Sequence, residues 1–270
     1  MAVTSLNLIV CGVGGRMGGA VVRSIQESRG AKLVGAIDRA GSRRIGKDAG
    51  EIAGAGTSGI EIGDRFAPRY GANTAIIDFT NPNASVAFLR SAAKKKIPIV
   101  IGTTGFDTKQ LDEIKELAQG TPTLLSANMS LGVNLLLSVL GRAAAILGDD
   151  YDVEIIEAHH RFKKDAPSGT ALALGRAIAQ ALKRDLDTVA ISGREGTVGE
   201  RGKKEIALFS VRAGDIVGEH TVIFGGVGER IEFIHRAHSR DTFARGAIRA
   251  AEWLIKQKSG LYTMQDVLGL

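Results

Sequence analysis

The stretch Ser5–Ser28, SLNLIVCGVGGRMGGAVVRSIQES, decides the fold. Its first part, Leu6 to Cys11, is a short, mainly apolar run that stops at Gly12. A strand with one wet face would alternate polar and apolar residues, so this run fits a parallel strand covered on both faces. The second part carries Met17, Val21 and Ile25 at helical spacing. Strand, glycine-rich turn and helix together open a crossover unit, and AKLVGAIDR, Ala31–Arg39, reads as its second strand.

The turn has its own chemistry. Gly12 and Gly14 permit a tight bend and let backbone N–H groups approach a pyrophosphate, while the helix N-terminus adds partial positive charge. A strict G-x-G-x-x-G pattern needs glycine where Met17 stands; Gly18 follows one place later. Asp38 closes the second strand, where an acidic group meets the ribose hydroxyls of a bound dinucleotide. Arg39, next in the chain, can pair with a 2′-phosphate, so the site is equipped for NADH and for NADPH.

The pattern continues outward. Ala40 to Arg69 is rich in Gly and Ser and reads as loops with a short helix. NTAIIDFT, IPIVIGTTG and TPTLLSAN read as strands; between them lie a helix capped by Asn81 with Pro82 at its first position, and a helix with a capping-box-like start at Asp107 or Thr108. Repeated strand and helix predict an α/β fold with a doubly wound parallel sheet of the Rossmann type. Ligands lie at the carboxyl ends of such strands, which selects DFTNP, GTTGF (Gly102–Phe106) and SANMS (Ser126–Ser130) as crevice turns.

After Asn128 the pattern changes. A long apolar helix (Ser130–Gly148), a strand (Tyr151–His160), a helix (Ser168–Asp185) and three successive strands predict a second, α+β domain with a mixed sheet. The final amphipathic helix, from Asp241, is expected to return to the first domain. The boundaries are therefore 1–129 plus 241–270 for a dinucleotide-binding domain and 130–240 for the second. Apolar residues of the second sheet, Ile206, Leu208, Phe209, Val222, Phe224, Ile231 and Phe233, are expected in part on a face left open by the helices, which predicts a homo-oligomer. Coverage by the chain's own helices is the competing reading.

Composition narrows the classes. The 270 residues carry a net charge of +6 and a single cysteine, Cys11, which excludes an internal disulfide framework. Basic residues are scattered and not interleaved with aromatics, so no nucleic-acid surface is expected. The N-terminus has no basic region and only a short apolar run, and no run approaches a membrane span. The expectation is a cytoplasmic protein with neither a membrane nor a nucleic-acid partner.

The chemistry concentrates in EIIEAHHRFKKDAPSGTA, Glu154–Ala171. Ser168, Gly169 and Thr170 open a helix, where N–H groups and two hydroxyls are expected to form an anion site. His159, His160, Arg161, Lys163 and Lys164 precede them, a set suited to a carboxylate-bearing substrate that needs a proton. Adjacent histidines on a strand point to opposite faces and the lysines repel cations, so no metal is expected.

This stretch, with GVGGRMG, GTTGF, SANMSLGVN, SGREG and HRAHSRDTFARGA in the same order, resembles the 4-hydroxy-tetrahydrodipicolinate reductase (dihydrodipicolinate reductase) family over the whole chain. The resemblance implies NADH- or NADPH-dependent reduction of a cyclic dicarboxylate imine in lysine biosynthesis through diaminopimelate. It implies that the second domain binds substrate and oligomerises, usually to a homotetramer. It assigns His159 as the catalytic histidine, Lys163 as proton donor, and His160, Gly169 and Thr170, with Ser168 beside them, to the substrate. To the cofactor it assigns Gly12, Val13, Gly14, Gly15, Arg16 and Met17, then Asp38 and Arg39, then Gly102, Thr103 and Thr104, and Ser126, Ala127, Asn128 and Met129. Phe162 stands where some relatives carry a polar residue. A dinucleotide-sensing regulator is the rival reading, and it leaves the Glu154–Ala171 stretch unexplained.

Overall fold

The computed structural model describes residues 5–67 and 69–270. The start of the N-terminal stretch (1–4) and Pro68 of the Ala40–Arg69 segment lie outside the described residues. The chain divides into two compact units, Met1–Leu131 with Arg240–Leu270, and Gly132–Ser239.

The first unit is built on a seven-stranded sheet. In chain order its elements are β1 (Leu6–Cys11), α1 (Arg16–Glu27), β2 (Ala31–Ile37), α2 (Ala49–Ala53), β3 (Ile62–Gly63), β4 (Thr74–Asp78), α3 (Pro82–Lys95), β5 (Ile99–Ile101), α4 (Thr108–Ala118) and β6 (Pro122–Leu125). The strand order is β12-β6-β5-β4-β1-β2-β3, where β12 is Gly260–Tyr262, and every pairing is parallel. This is the doubly wound arrangement. Alternate side chains of the strands feed two cores. Leu8, Val10, Ala75 and Ile77 join α1 residues Val21, Val22 and Ile25 together with Ala247, Ala251 and Leu254 of the returning helix. Ile9, Cys11, Ile76, Ile99 and Ile101 join Val86 and Leu89 of α3 and Ile114 of α4 on the other face. That double coverage is why β1 reads as an apolar run. Asn81 caps α3 through Ala84 N with Pro82 in the first turn, and Asp107 caps α4 in a capping box with Gln110.

The second unit carries α5 (Leu131–Leu147, whose first residue belongs to the first unit), β7 (Asp152–His159), α6 (Gly169–Ala181), α7 (Leu186–Val189), β8 (Ala190–Ile191), β9 (Ile206–Arg212), β10 (Gly218–Gly225) and β11 (Arg230–Ala237). Its sheet order is β11-β10-β7-β9-β8, antiparallel on one side of β7 and parallel on the other. The chain then returns to the first unit as α8 (Asp241–Leu254), β12 and α9 (Met264–Leu268).

Two sequence expectations are corrected. The pairing register places Ile206, Leu208, Val222, Phe224, Ile231 and Phe233 on the same face as Ile155, toward α5 and α6 for all but the edge residue Ile231. Of the seven residues expected partly on the open face, Phe209 alone is there, because a period of two assigns whole sets of residues to one face. The open face instead presents Ile156, Val211 and Ile234, exposed at 38%, 44% and 46%. Second, Leu131–Asp150 spans 20 residues with a mean hydropathy of 1.7, long and apolar enough to cross a membrane by length and composition. Its Leu136, Leu140 and Ala144 are buried in the core of the second unit.

Gly246 tests the packing of α8. A Cβ there would stand 1.8 Å from the Met129 carbonyl oxygen. Gly246→Ala is therefore expected to lower stability by about 1–3 kcal/mol despite alanine's higher helix propensity. Denaturant unfolding checks this; an unchanged or raised midpoint would contradict the close contact.

Candidate active site

The first group of candidate residues lies along the carboxyl edge of the parallel sheet. Gly12 and Val13 both donate to the Ile37 carbonyl, which ties the turn after β1 to the end of β2. Gly12 has φ +77°, and a Cβ on it would stand 2.8 Å from Thr80 Cγ2. A Cβ on Gly18 would stand 2.1 Å from the Gly12 carbonyl oxygen, so Gly18, not position 17, is the glycine on which helix-to-strand packing depends. Gly15 is the N-cap of α1 without a side-chain cap, leaving first-turn amides for a ligand. Val13 is buried, Met17 is partly buried and packs on the core, and Arg16 is exposed.

Asp38 Oδ1 accepts from Arg39 N at 2.8 Å, and Oδ2 accepts from Ser42 Oγ at 2.9 Å and faces Arg44 Nη1 at 3.5 Å. Arg39 is exposed beside it. A Cβ on Gly14 would meet Arg44 Nη1 at 2.5 Å and Asp38 Oδ2 at 2.7 Å. The glycine turn, acidic strand end and two arginines thus meet at one place, a donor set that fits a dinucleotide. Sequence reading missed Arg44 because the Gly-rich loop gives no periodicity to place it.

The later turns pack closely too. Gly102 leaves room for the Phe79 ring, whose Cε1 would be 2.1 Å from an added Cβ. Thr103 is buried and accepts from Ser85 Oγ at 2.8 Å, while Thr104 is exposed. Ser126 Oγ donates to the Asn128 carbonyl at 2.8 Å, and Asn128 Oδ1 accepts from Ser130 N. Ala127 is exposed and Met129 buried.

The sequence selects Asp78 only as the first residue of the DFTNP turn, with no role of its own. It ends β4 fully buried, with Oδ1 accepting from Thr80 N and Thr80 Oγ1 at 3.1 and 2.6 Å. Burial pushes its carboxyl up to about 6, against the bonds from Ser85 and Thr80. Its available signal was a carboxylate closing an otherwise apolar strand.

The second group lies in the second unit. His159 ends β7, and its Nδ1 lies 2.6 Å from Glu157 Oε2. Glu157 is fully buried and takes two bonds from Arg212, each 2.8 Å, and one from Ser168 N at 3.1 Å. Burial pushes the Glu157 carboxyl up, but the bonds from Arg212, then from His159 and Ser210, overcome it and leave it at about 2. His159 is held below its ordinary value by burial, with Glu157 opposing and the Lys163 and Arg212 charges assisting. Ser168 caps α6 through Ala171 N and lies 3.2 Å from His220 Nε2. His220, buried beside His159 and His235, is pushed down to about 3, chiefly by burial.

Lys163 Nζ pairs with Asp165 Oδ2 at 2.9 Å. His160 Nδ1 is buried without a hydrogen-bond partner. Its ring lies 6.2 Å from that of Phe162, which is 78% exposed. Gly169 is exposed with open space where a Cβ would stand, and Thr170 is partly buried in the first turn of α6. The structure therefore joins His159 and Ser168 through Glu157 and keeps Lys163 close by on Asp165. Sequence reading missed Glu157, Arg212 and His220; only Glu157 was within the stretch it selected.

A parallel-sheet unit with a dinucleotide-type turn, joined to a mixed-sheet unit with a histidine, lysine and helix N-terminus, defines a nicotinamide-dependent oxidoreductase acting on a small molecule. The comparisons agree. The family model described as "Dihydrodipicolinate reductase, N-terminus" matches residues 6–129, and that described as "Dihydrodipicolinate reductase, C-terminus" matches 132–268. The 4-hydroxy-tetrahydrodipicolinate reductase of Syntrophus aciditrophicus (strain SB) is 53% identical over 264 residues, covering 98% of each chain. That of Geotalea uraniireducens (strain Rf4) is 51% identical over 265 residues, covering 98% of this chain and 99% of the relative. The solved structure "Dipicolinate bound Dihydrodipicolinate reductase from Paenisporosarcina sp. TG-14" shares the fold, with TM-score 0.71 and 22% identity over 97% of this chain and 99% of that one. The chain belongs to the dihydrodipicolinate reductase family, whose reactions use NADH or NADPH.

Asp78 gives a pH test within the cofactor unit. Its carboxyl sits above the ordinary unfolded value of about 3.9, at about 6. Its contribution to stability is complete below the unfolded value and is lost as pH rises through 6. The stability difference between wild type and Asp78→Asn should therefore move in the variant's favour between pH 4 and 6. Denaturant unfolding across that range checks it; a constant difference would contradict the raised value.

Proposed function

We propose that the turn between β7 and α6 binds the dicarboxylate ring and manages its protons, with Lys163 as the donor and a neutral His159 beside it. The reaction is NAD(P)H-dependent reduction of (2S,4S)-4-hydroxy-2,3,4,5-tetrahydrodipicolinate to 2,3,4,5-tetrahydrodipicolinate with loss of water, in lysine biosynthesis through diaminopimelate. The observation that carries the assignment of roles is the Glu157 carboxylate, which holds His159 Nδ1 and the Ser168 amide together.

Gly12 to Met17 would hold the pyrophosphate, Asp38 and Arg39 the adenosine end, and Gly102 to Thr104 with Ser126 to Met129 the nicotinamide end. When bound, the reduced nicotinamide supplies the hydride. The remaining work belongs to the second unit. The backbone at Gly169 and Thr170, at the start of α6, binds carboxylate through main-chain N–H groups and the helix dipole. His160, with its unsatisfied buried Nδ1, offers a further contact to the ring's carboxylates. Ser168, committed to the cap and to His220, fixes the turn.

Once the 4-hydroxyl and a neighbouring ring proton have left as water, the ring holds a C=C conjugated with the imine, and hydride addition to it leaves negative charge spread through the enamine. Lys163 supplies the proton that quenches it at a ring carbon. Since a carboxylate only accepts, His159 directs its Nδ1–H at Glu157 and leaves Nε2 as a hydrogen-bond acceptor. This division follows from His159 being held below its ordinary value while Lys163 stands in an ion pair with Asp165.

Residues 1–129 with 241–270 act as the cofactor domain and 130–240 as the substrate and oligomerisation domain in this reading. The exposed Ile156, Val211 and Ile234 support burial of the open sheet face against other copies, giving a homotetramer. The enzyme is placed in the cytoplasm, where reduced nicotinamide and the pathway's small molecules are found.

An assay of nicotinamide oxidation with freshly generated hydroxy-tetrahydrodipicolinate tests the roles. Lys163→Ala and His159→Ala should each lower kcat by roughly 10²-fold or more; near-normal turnover in both would refute them. Arg39→Ala should raise the KM for NADPH more than that for NADH, and equal changes would contradict a 2′-phosphate contact.

A further inference from the structure

We propose that Arg212 is the positioning residue that couples the turn's two proton-handling groups, holding His159 through the Glu157 carboxylate and the Lys163–Asp165 segment through the Asp165 carbonyl. The proposal rests on the roles given above to His159 and Lys163.

Each oxygen of Glu157 takes one bond from Arg212, and the carboxylate is also bonded by Ser168 N, His159 and Ser210. Oε1 accepts from Arg212 Nη2 at 2.8 Å and from Ser168 N at 3.1 Å. Oε2 accepts from Arg212 Nη1 at 2.8 Å and lies 2.6 Å from His159 Nδ1. The carboxylate plane is thereby fixed, and with it the direction of the His159 ring. The same guanidinium donates through Nη1 to its neighbour's carbonyl, Val211 O, at 2.7 Å and through Nη2 to Asp165 O at 2.6 Å. Asp165 is the residue whose side chain pairs with Lys163. A planar fork with fixed donor directions makes these bonds at once; the point charge of a lysine does not.

Strand pairing puts this fork in place. Arg212 is registered opposite His159 across β7 and β9. On the β10 side a Cβ on Gly218 would stand 3.1 Å from His159 Nε2, so the ring is confined from both flanks. The charged and titratable groups around His159 are Glu157 on its own strand, Arg212 on β9, Lys163 and Asp165 on the turn, His220 on β10 and, beyond it, His235 on β11.

These neighbours give the proposal a signature that loss of packing lacks. Arg212 disfavours protonated His159 and Glu157 favours it. Removing the arginine should move the His159 titration up, and removing the glutamate charge should move it down. The experiment is imidazole ¹⁵N NMR of the full-length protein across pH, with steady-state kinetics on the same samples. In Arg212→Gln we expect kcat lower by roughly 10- to 100-fold, a KM for NADH within about two-fold of wild type, and the His159 titration displaced upward. In Glu157→Gln we expect a similar loss of kcat with the titration displaced downward. Arg212→Lys should keep the titration near wild type while kcat stays reduced, since charge survives and the fork does not. Shifts in the same direction in the two glutamine variants, or no shift and no loss of kcat in Arg212→Gln, overturn the coupling. Normal turnover of His159→Ala would instead sink the underlying role of His159, while the titrations still report on the positioning geometry.

Discussion

A buried carboxylate governs the reactive turn. Glu157 has no exposed surface, and an ionised side chain there is tolerable only because Arg212 faces it with two parallel bonds while His159, Ser210 and the Ser168 amide add theirs. Breaking one side of such a pair costs several kcal/mol, since the survivor remains buried and uncompensated. The arrangement therefore constrains more than one ion pair. It sets the direction of a histidine ring, the start of α6, and the path of the chain through Asp165.

The same economy appears at the other site. Gly12, Gly18 and Gly102 stand where a Cβ would strike Thr80, the Gly12 carbonyl and Phe79. Only at Gly18 is the close approach one of backbone to backbone; the first turn of α1 has no side-chain cap, and Arg44 lies 3.5 Å from Asp38 nearby. In the proposed reading both sites turn a helix start toward an anion, one toward a pyrophosphate and one toward carboxylates. What differs is the second unit's proton equipment.

Much of this was legible in the sequence. The apolar β1 run, the Gly12–Gly18 turn and the Asn81–Pro82 helix start each carry a local physical reason, and the stretch Glu154–Ala171 held most of the groups to which the proposal gives proton and carboxylate roles. What escaped was non-local. Arg212 reaches Glu157 from a strand whose own text, IALFSVR, shows only β-propensity. Arg44 and Asp78 owe their places to loop geometry and to burial. The open face was misassigned because strand parity cannot be fixed without the register, and the register comes from pairing.

The central claim is that the histidine-bearing turn holds the dicarboxylate ring beside Lys163. A crystal structure of the full-length protein with NADH and the planar analogue pyridine-2,6-dicarboxylate tests it most directly. The account predicts carboxylate oxygens on the Gly169 and Thr170 amides, with His160 in contact and Lys163 Nζ turned from Asp165 toward the ring. A ring bound away from this turn, with Lys163 still on Asp165, would contradict it.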